Sequence, residues 1–349
     1  MENVALIKDP KASAKEAGLR YFREDQLKLK RVKNGKKFDF IDEAGHKIKD
    51  AAIIERINSL ALPPAWTDVI ISPAANSHLQ AIGTDEKGRK QYRYHPDWNK
   101  FRSETKFDKM TEFGKALPKI RAKMAEDLNT QGLSRDKVLA AIVKLLEKTM
   151  IRIGNEEYAK ENQSYGLTTL RNKHVDVGAT KVKINFKGKS GKFHNIELED
   201  RRLARLIGKL QDLPGQELFQ YVDEAGERHS VDSADVNEYI QAAAEAEFTA
   251  KDFRTWRGTI LAALFLADQE RTETETANKK LVTDIVKQVA AELGNTPTVC
   301  RKCYIHPYII ESFFDGNLVK LKEESEIEVD TVDLLPEEKK VLVFLQRAN

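Results

Sequence analysis

Residues 89–101 read RKQYRYHPDWNKF, and the hydrophobic period of the chain changes inside them. Up to His95 the polar side chains Gln91, Arg93 and His95 alternate with Tyr92 and Tyr94, the two-residue period of an extended strand. Beyond Asp97 the spacing turns helical. Phe101 to Leu128 carries it, and Arg135 to Met150 carries it strongly through Val138, Leu139, Ile142, Leu145 and Leu146. One switch of this kind predicts an α+β chain, with a small β-rich N-terminal domain and a mainly α-helical remainder, the boundary falling within 97–108.

Toward the N-terminus, Lys37 to Asp42 alternates and Glu43-Ala44-Gly45 closes it as a turn. Ile53, Ile54, Ile57 and Leu60 share a helix face that Pro63-Pro64 ends. Val69-Ile70-Ile71 is a short strand. His78 to Thr84 and Arg89 to His95 form a hairpin around Asp85-Glu86-Lys87-Gly88. Toward the C-terminus the helical remainder holds one sheet insert. Val175 and Val177 begin it, Val182, Ile184 and Phe186 alternate with lysines and asparagine, and Gly188 to Gly191 turns the chain back through Phe193 to Leu198. Helices are expected over about 200–210, 233–246, 251–268 and 276–293.

The chain has 349 residues, 41% hydrophobic and 32% charged, enough apolar surface for two cores and too much for wholesale disorder. No apolar run approaches the length of a membrane span. The N-terminal residues lack the pattern of a secretory leader, and the only cysteines are Cys300 and Cys303. A reducing, cytoplasmic location is the expectation. Net charge is only +3, but it is unevenly placed. Arg20 to Asp39 holds eight bases against three acids, and Glu323 to Glu338 holds eight acids and no base. The acidic stretch, in a tail spanning 317–349, reads as solvated in preference to a mobile flap that competes with a polyanion.

Four local patterns carry chemistry. The first runs Ile151-Arg152-Ile153-Gly154-Asn155-Glu156-Glu157-Tyr158. The second is the turn Lys187-Gly188-Lys189-Ser190-Gly191-Lys192. The third is Lys251-Asp252-Phe253-Arg254-Thr255, where Thr249 and Asp252 form a capping box and Phe253, Trp256 and Ile260 anchor the helix. The fourth is Asn295-Thr296-Pro297-Thr298-Val299-Cys300-Arg301-Lys302-Cys303-Tyr304, with Pro297 suited to a first helical turn. Each alone has an ordinary structural reading: an ion-paired arginine, a surface lysine, a packed tyrosine.

In this order and spacing, from about Tyr21 to Gly316, the set resembles the type IB DNA topoisomerases of the poxvirus-like and bacterial branch. The resemblance implies a bilobed clamp on double-stranded DNA: 1–100 a DNA-binding domain, 101–316 a catalytic domain of the topoisomerase IB and tyrosine recombinase type. It implies Tyr304 as the nucleophile that forms a 3′-phosphotyrosyl bond, Arg152 and Arg254 as clamps on the non-bridging oxygens, and Lys189 as the acid that protonates the leaving 5′-oxygen. Nine residues before the tyrosine the poxvirus enzymes carry histidine, and here stands Asn295, a neutral donor or a cap of the next helix. Gln91, Tyr92 and Tyr94 match the family's groove-binding strand, and Tyr158 a further DNA-contacting tyrosine. Asn155 replaces a lysine common in the viral enzymes.

The implied protein is a nucleoid-associated monomer that relaxes supercoils without cofactor, ATP or metal. Cys300, Cys303 and His306 fall one ligand short of a structural zinc site, and the other histidines have no mutual spacing of interest. A tyrosine recombinase is the alternative. It would usually show histidine at Lys251 and an all-helical N-terminal domain. A non-catalytic DNA-binding protein is the third class.

Overall fold

The computed structural model describes residues 10–347 except 36, 87 and 324–333. The chain divides into two compact units, Met1–Phe107 and Asp108–Asn349.

In the first unit α1 (Pro10–Glu16) precedes β1 (Leu29–Asn34), β2 (Lys37–Ile41), α2 (Ala51–Ser59), β3 (Thr67–Ile71), β4 (Leu79–Thr84) and β5 (Lys90–Tyr94). The strands form one antiparallel sheet in the order β2-β1-β3-β4-β5. Asp50 starts α2 by accepting from the backbone N–H groups of Ala52 and Ile53 at 2.8 and 3.3 Å. The helix then lays Ile53, Ile54, Ile57 and Leu60 over Leu29, Phe40, Val69 and Ile71, the face that the isoleucine spacing predicts. A second cluster, Phe22, Leu27, Leu79 and Ile82, takes in Tyr94.

The second unit is mainly helical. Helix α3 (Pro96–Asn129) starts where the sequence period changes, inside the first unit, and runs on into the second, where α4 (Arg135–Thr149) and α5 (Glu156–Asn162) follow. A three-stranded sheet follows, β6 (Val175–Val177), β7 (Lys181–Lys187) and β8 (Phe193–Glu199), in the order β6-β7-β8. Val182, Ile184 and Phe186 of β7 are buried while its lysines are exposed, as the alternation requires. Then come α6 (Arg201–Gln211), the pair β9 (Gln220–Val222) and β10 (Arg228–Ser230), α7 (Ser233–Ala244), α8 (Ala250–Ala267), α9 (Glu275–Glu292), α10 (Pro297–Cys303), α11 (Pro307–Asp315), α12 (Lys320–Glu323) and α13 (Pro336–Gln346). The core forms around α4, buried from Val138 to Leu146, and α8, buried along most of its length. Asp252 accepts from the backbone N–H and the hydroxyl of Thr249, both at 2.8 Å, closing the predicted box at the start of α8.

The expectation of a solvated tail over 317–349 is corrected for α13. Its Val341 to Leu345 are buried, and Glu338, counted among the tail acids, is only 6% exposed. Arg121 of α3 grips the Glu338 carboxylate with both Nη atoms, at 2.8 and 2.9 Å, and donates from Nε to Glu147 at 2.6 Å. The Trp256 indole N–H donates to the same carboxylate at 3.4 Å. Gly114 makes room: a Cβ there would lie 2.7 Å from the Trp256 ring and 3.0 Å from Leu342. Sequence counting takes acids as solvated, whereas here an apolar helix face and a bidentate arginine draw one inside. The remainder of the acidic run, 324–333, lies outside the described residues.

Glu338→Ala leaves a buried guanidinium short of its bidentate partner. It should lower unfolding stability by roughly 3 kcal/mol, read as a reduced urea midpoint with unchanged slope.

Candidate active site

Arg152 is set by a forced loop. Helix α4 stops at Met150, whose φ of +55° breaks the helix, and Ile151 is buried. The Arg152 and Ile153 carbonyls accept from the N–H groups of Leu167 and Thr168 at 2.9 and 2.7 Å. The two passes are so close that a Cβ on Gly166 would sit 2.5 Å from the Arg152 oxygen. Gly154 of the same motif has φ +107°, a conformation that favours glycine. Thus held, Arg152 donates from Nη2 to the Asn295 side-chain oxygen, and from both Nη atoms to the Gly294 carbonyl at 3.3 Å.

Arg254 arrives from α8 and is only 3% exposed. Its Nη2 donates to the Leu293 carbonyl at 2.7 Å, and its guanidinium carbon stands 5.4 Å from the centre of the Tyr304 ring. Asn295 is 6% exposed. It lies between Gly294, which ends the α9 segment with φ +60°, and Thr296, whose side chain accepts from Val299 N to start α10. Thr296, not Asn295, is the cap.

Tyr304 follows directly on α10, half-buried, its N–H donating to the Cys300 carbonyl at 2.8 Å. Sequence spacing suggests that the tyrosine rides on a helix; it stands at the helix end instead. Its own carbonyl accepts from Thr259 Oγ1 at 3.4 Å, and a Cβ on Gly258 would come within 2.5 Å of that oxygen. The glycine after Arg257 therefore lets α8 seat the tyrosine backbone.

Arg152, Arg254 and the Asn295–Tyr304 stretch thus converge from three separate segments. Two donors among them, Arg254 Nε and Asn295 Nδ2, are buried with no hydrogen-bond partner among the described residues. The Asn295 amide oxygen is occupied by Arg152, so its N–H₂ end is what the site retains. The hydrogen bonds that hold the two arginines run to peptide carbonyls and an amide oxygen, with no carboxylate among the described residues against either. Burial, and then the Arg152 charge, push the Arg254 guanidinium below its ordinary pKa, and burial does the same at Arg152. Concentrated positive charge and orphaned donors suit an oxyanion with several acceptor oxygens.

Lys189 is exposed on the β7–β8 turn, where Ser190 and Gly191 both have positive φ. From the same turn Lys192 reaches inward, its Nζ donating to the Asn295 carbonyl at 3.0 Å. His194 also belongs here. Burial first, then the charges of Arg152, Arg254 and Lys192, hold its imidazole below its ordinary pKa. Sequence reasoning passed over both residues, because a lysine among turn lysines and a histidine without spaced partners carry no signal. The glycines at 188 and 294 were the only hint.

Residues 95–329 match the family described as eukaryotic DNA topoisomerase I, catalytic core, and residues 37–85 match the bacterial DNA topoisomerase IB N-terminal domain. DNA topoisomerase 1B of Acanthamoeba polyphaga mimivirus is 36% identical over 290 residues, covering 81% of this chain and 86% of that protein. The chain belongs to the type IB DNA topoisomerases. DNA topoisomerase I of Monkeypox virus and DNA topoisomerase 1B of Vaccinia virus (strain Copenhagen) are each 25% identical over 294 residues, covering 82% of this chain and 90% of theirs. The protein is therefore an enzyme of the isomerase class acting on DNA, and the recombinase and non-catalytic alternatives give way.

The remaining residues that the resemblance singles out are placed as follows. Tyr158 is 40% exposed on α5, with Asn155 capping that helix by accepting from the Tyr158 N–H at 3.0 Å. A lysine could not serve as that cap. In the first unit, Gln91 donates to Asp85 at 3.0 Å, and the Tyr92 hydroxyl to Glu24 at 3.1 Å. Tyr92 is 42% exposed and stacks on Tyr94, ring centres 6.0 Å apart, while Tyr94 leans into the apolar cluster. The strand of this topoisomerase is thus two things at once, an edge of a core and an exposed aromatic and basic rim.

Cys300 is buried on α10, and burial pushes its thiol up to about 11, which makes it a poor thiolate ligand. Among the described residues no His, Cys, Asp and Glu group is arranged to hold a metal ion. His306 caps α11 instead, Nδ1 accepting from Tyr308 N at 3.1 Å, and its backbone N–H donates to Thr259 at 3.0 Å. Burial lowers its imidazole to about 4.

The unfolded chain protonates this histidine near pH 6.5, while the folded chain does so only near 4. Stability should therefore fall as pH drops through that window, by on the order of 3 kcal/mol from this group. Asn at 306 keeps a capping acceptor but cannot titrate. Urea midpoints at pH 7 and 4.5 should differ less for His306→Asn than for the unchanged protein.

Proposed function

We propose that the enzyme relaxes supercoiled duplex DNA by transesterification at Tyr304. The phenolic oxygen attacks a backbone phosphorus and forms the 3′-phosphotyrosyl bond as the bond from phosphorus to the 5′-oxygen breaks. Lys189 gives its proton to that oxygen, and the phenolic proton leaves to solvent. Arg152, Arg254 and Asn295 hold the non-bridging oxygens, whose negative charge is greatest in the pentavalent transition state. Rotation of the released strand removes turns, and the 5′-hydroxyl then attacks the phosphotyrosine to reseal it. One phosphodiester is exchanged for another of similar energy, so ATP has no step to drive.

The observation that carries this reading is the pair of buried, unpartnered donors, Arg254 Nε and Asn295 Nδ2, the first on a guanidinium 5.4 Å from the Tyr304 ring and the second on the amide that Arg152 holds. Burying polar hydrogens without partners is costly. A phosphate that accepts from them recovers that cost where the chemistry occurs. Asparagine in place of histidine fits a purely donating role, since an amide neither carries charge nor moves a proton.

In the same reading the first unit grips duplex DNA through Gln91, Tyr92 and Tyr94, Tyr158 adds a contact from α5, and the two units close as a clamp. A monomer suffices, since Tyr304 and its partners all come from one chain. The place of action proposed is the cytoplasmic nucleoid.

Plasmid relaxation in EDTA without ATP should proceed with the unchanged protein. Tyr304→Phe should abolish both relaxation and the covalent adduct on denaturing gels. Asn295→Ala should slow single-turnover cleavage by about 10²–10³-fold.

DNA affinity should fall linearly on a log–log plot as salt rises, through release of phosphate counterions. Fluorescence anisotropy from about 50 to 200 mM salt reads this. A flat line would sink the clamp.

A further inference from the structure

His194 is the second residue of β8 and pairs with Phe186 of β7 across the hairpin. Its ring stacks on the Phe186 ring, 4.8 Å between centres and 10° between planes. The rest of the imidazole is enclosed by two glycines distant in sequence. A Cβ on Gly188 would lie 2.7 Å from its Cδ2 and Nε2, and a Cβ on Gly294 2.9 Å from its Cε1. Gly188 has φ −95°, open to any residue. The missing side chain there is demanded by the ring, not by the backbone.

Gly188 opens the turn that carries Lys189, and Gly294 precedes Asn295 and accepts from Arg152. The ring therefore fills the gap between the proton-donor turn and the segment of the oxyanion donors. Lys192 makes the second link across that gap, through the Asn295 carbonyl at 3.0 Å. A neutral, stacked plane suits a place already crowded by Arg152, Arg254 and Lys192, where a further positive charge would be repelled.

We propose that His194 is a positioning residue that holds the Lys189 turn in register with the Asn295 segment, so that the proton donor and the oxyanion donors address the same phosphodiester. This rests on the reading of Lys189 as the group that protonates the leaving oxygen. His194 itself touches no reacting atom.

The test compares single-turnover cleavage of two duplexes, one with the natural oxygen and one with sulfur bridging to the 5′-carbon at the scissile phosphate. A thiolate, whose conjugate acid has a pKa near 8.5, departs without a proton, whereas an alkoxide does not. Lys189→Ala on the two duplexes tests the underlying reading by itself: slow on oxygen and restored on sulfur supports it, and equal loss on both sinks it whatever His194 does. His194→Ala should then cleave the oxygen duplex about 10–10²-fold more slowly, a part of what general acid catalysis supplies, and the sulfur duplex within about threefold of the unchanged protein.

Gly188→Ala pushes on the ring without altering it and should show the same pattern. The double variant should be no slower than His194→Ala, since the clash is gone. If His194→Ala slows both duplexes alike, or neither, the positioning role is overturned. Gly188→Ala gives the same decision should His194→Ala fail to fold.

Discussion

Two guanidinium groups held partly or wholly out of water, with no carboxylate among the described residues against them, are the constraint on which the catalytic unit is built. A lone buried cation is costly, and the usual remedy is an acid alongside. Here Arg152 and Arg254 are met by the carbonyls of Leu293 and Gly294 and by the Asn295 amide oxygen. These dipoles hold the arginines in place without neutralising them. The contrast with Arg121 is instructive. That arginine, equally fixed, is matched by the carboxylates of Glu147 on α4 and Glu338 on α13 and ties the two helices to α3. Net charge left over distinguishes a site that receives an anion from one that completes a core.

The same constraint accounts for the glycines nearby. To meet peptide carbonyls, the arginines need backbone brought close from other segments, and backbone approaches backbone only where no Cβ intervenes. Gly166 lets one stretch of chain pass the Arg152 carbonyl, and Gly258 seats the Tyr304 carbonyl on α8. The donors are thus held in place by close packing of main chain.

Much of the fold was legible because burial imposes periods. Val182, Ile184 and Phe186 alternate since one face of β7 is covered, and Val138 to Leu146 recur at helical spacing since α4 lies in the core. The period change at Asp97 marks the start of α3. Glu338 was not legible. An acid in a run of acids looks solvated, and only the partner 217 residues away makes it internal. Lys192 and His194 were hidden for a similar reason: nothing local separates them from Lys187 or His229.

By itself the sequence determined the strongly periodic elements, the order of its four motifs and, through that order, the family. Those features depend on neighbours within a few residues or on spacing along one chain. The tertiary structure alone decided that Asn295 gives its amide oxygen to Arg152, that Lys192 reaches the Asn295 carbonyl, that Tyr304 stands past its helix, and that α13 belongs to the core. Each of these turns on which atom of a side chain meets a segment tens to hundreds of residues away, a relation that no local period encodes.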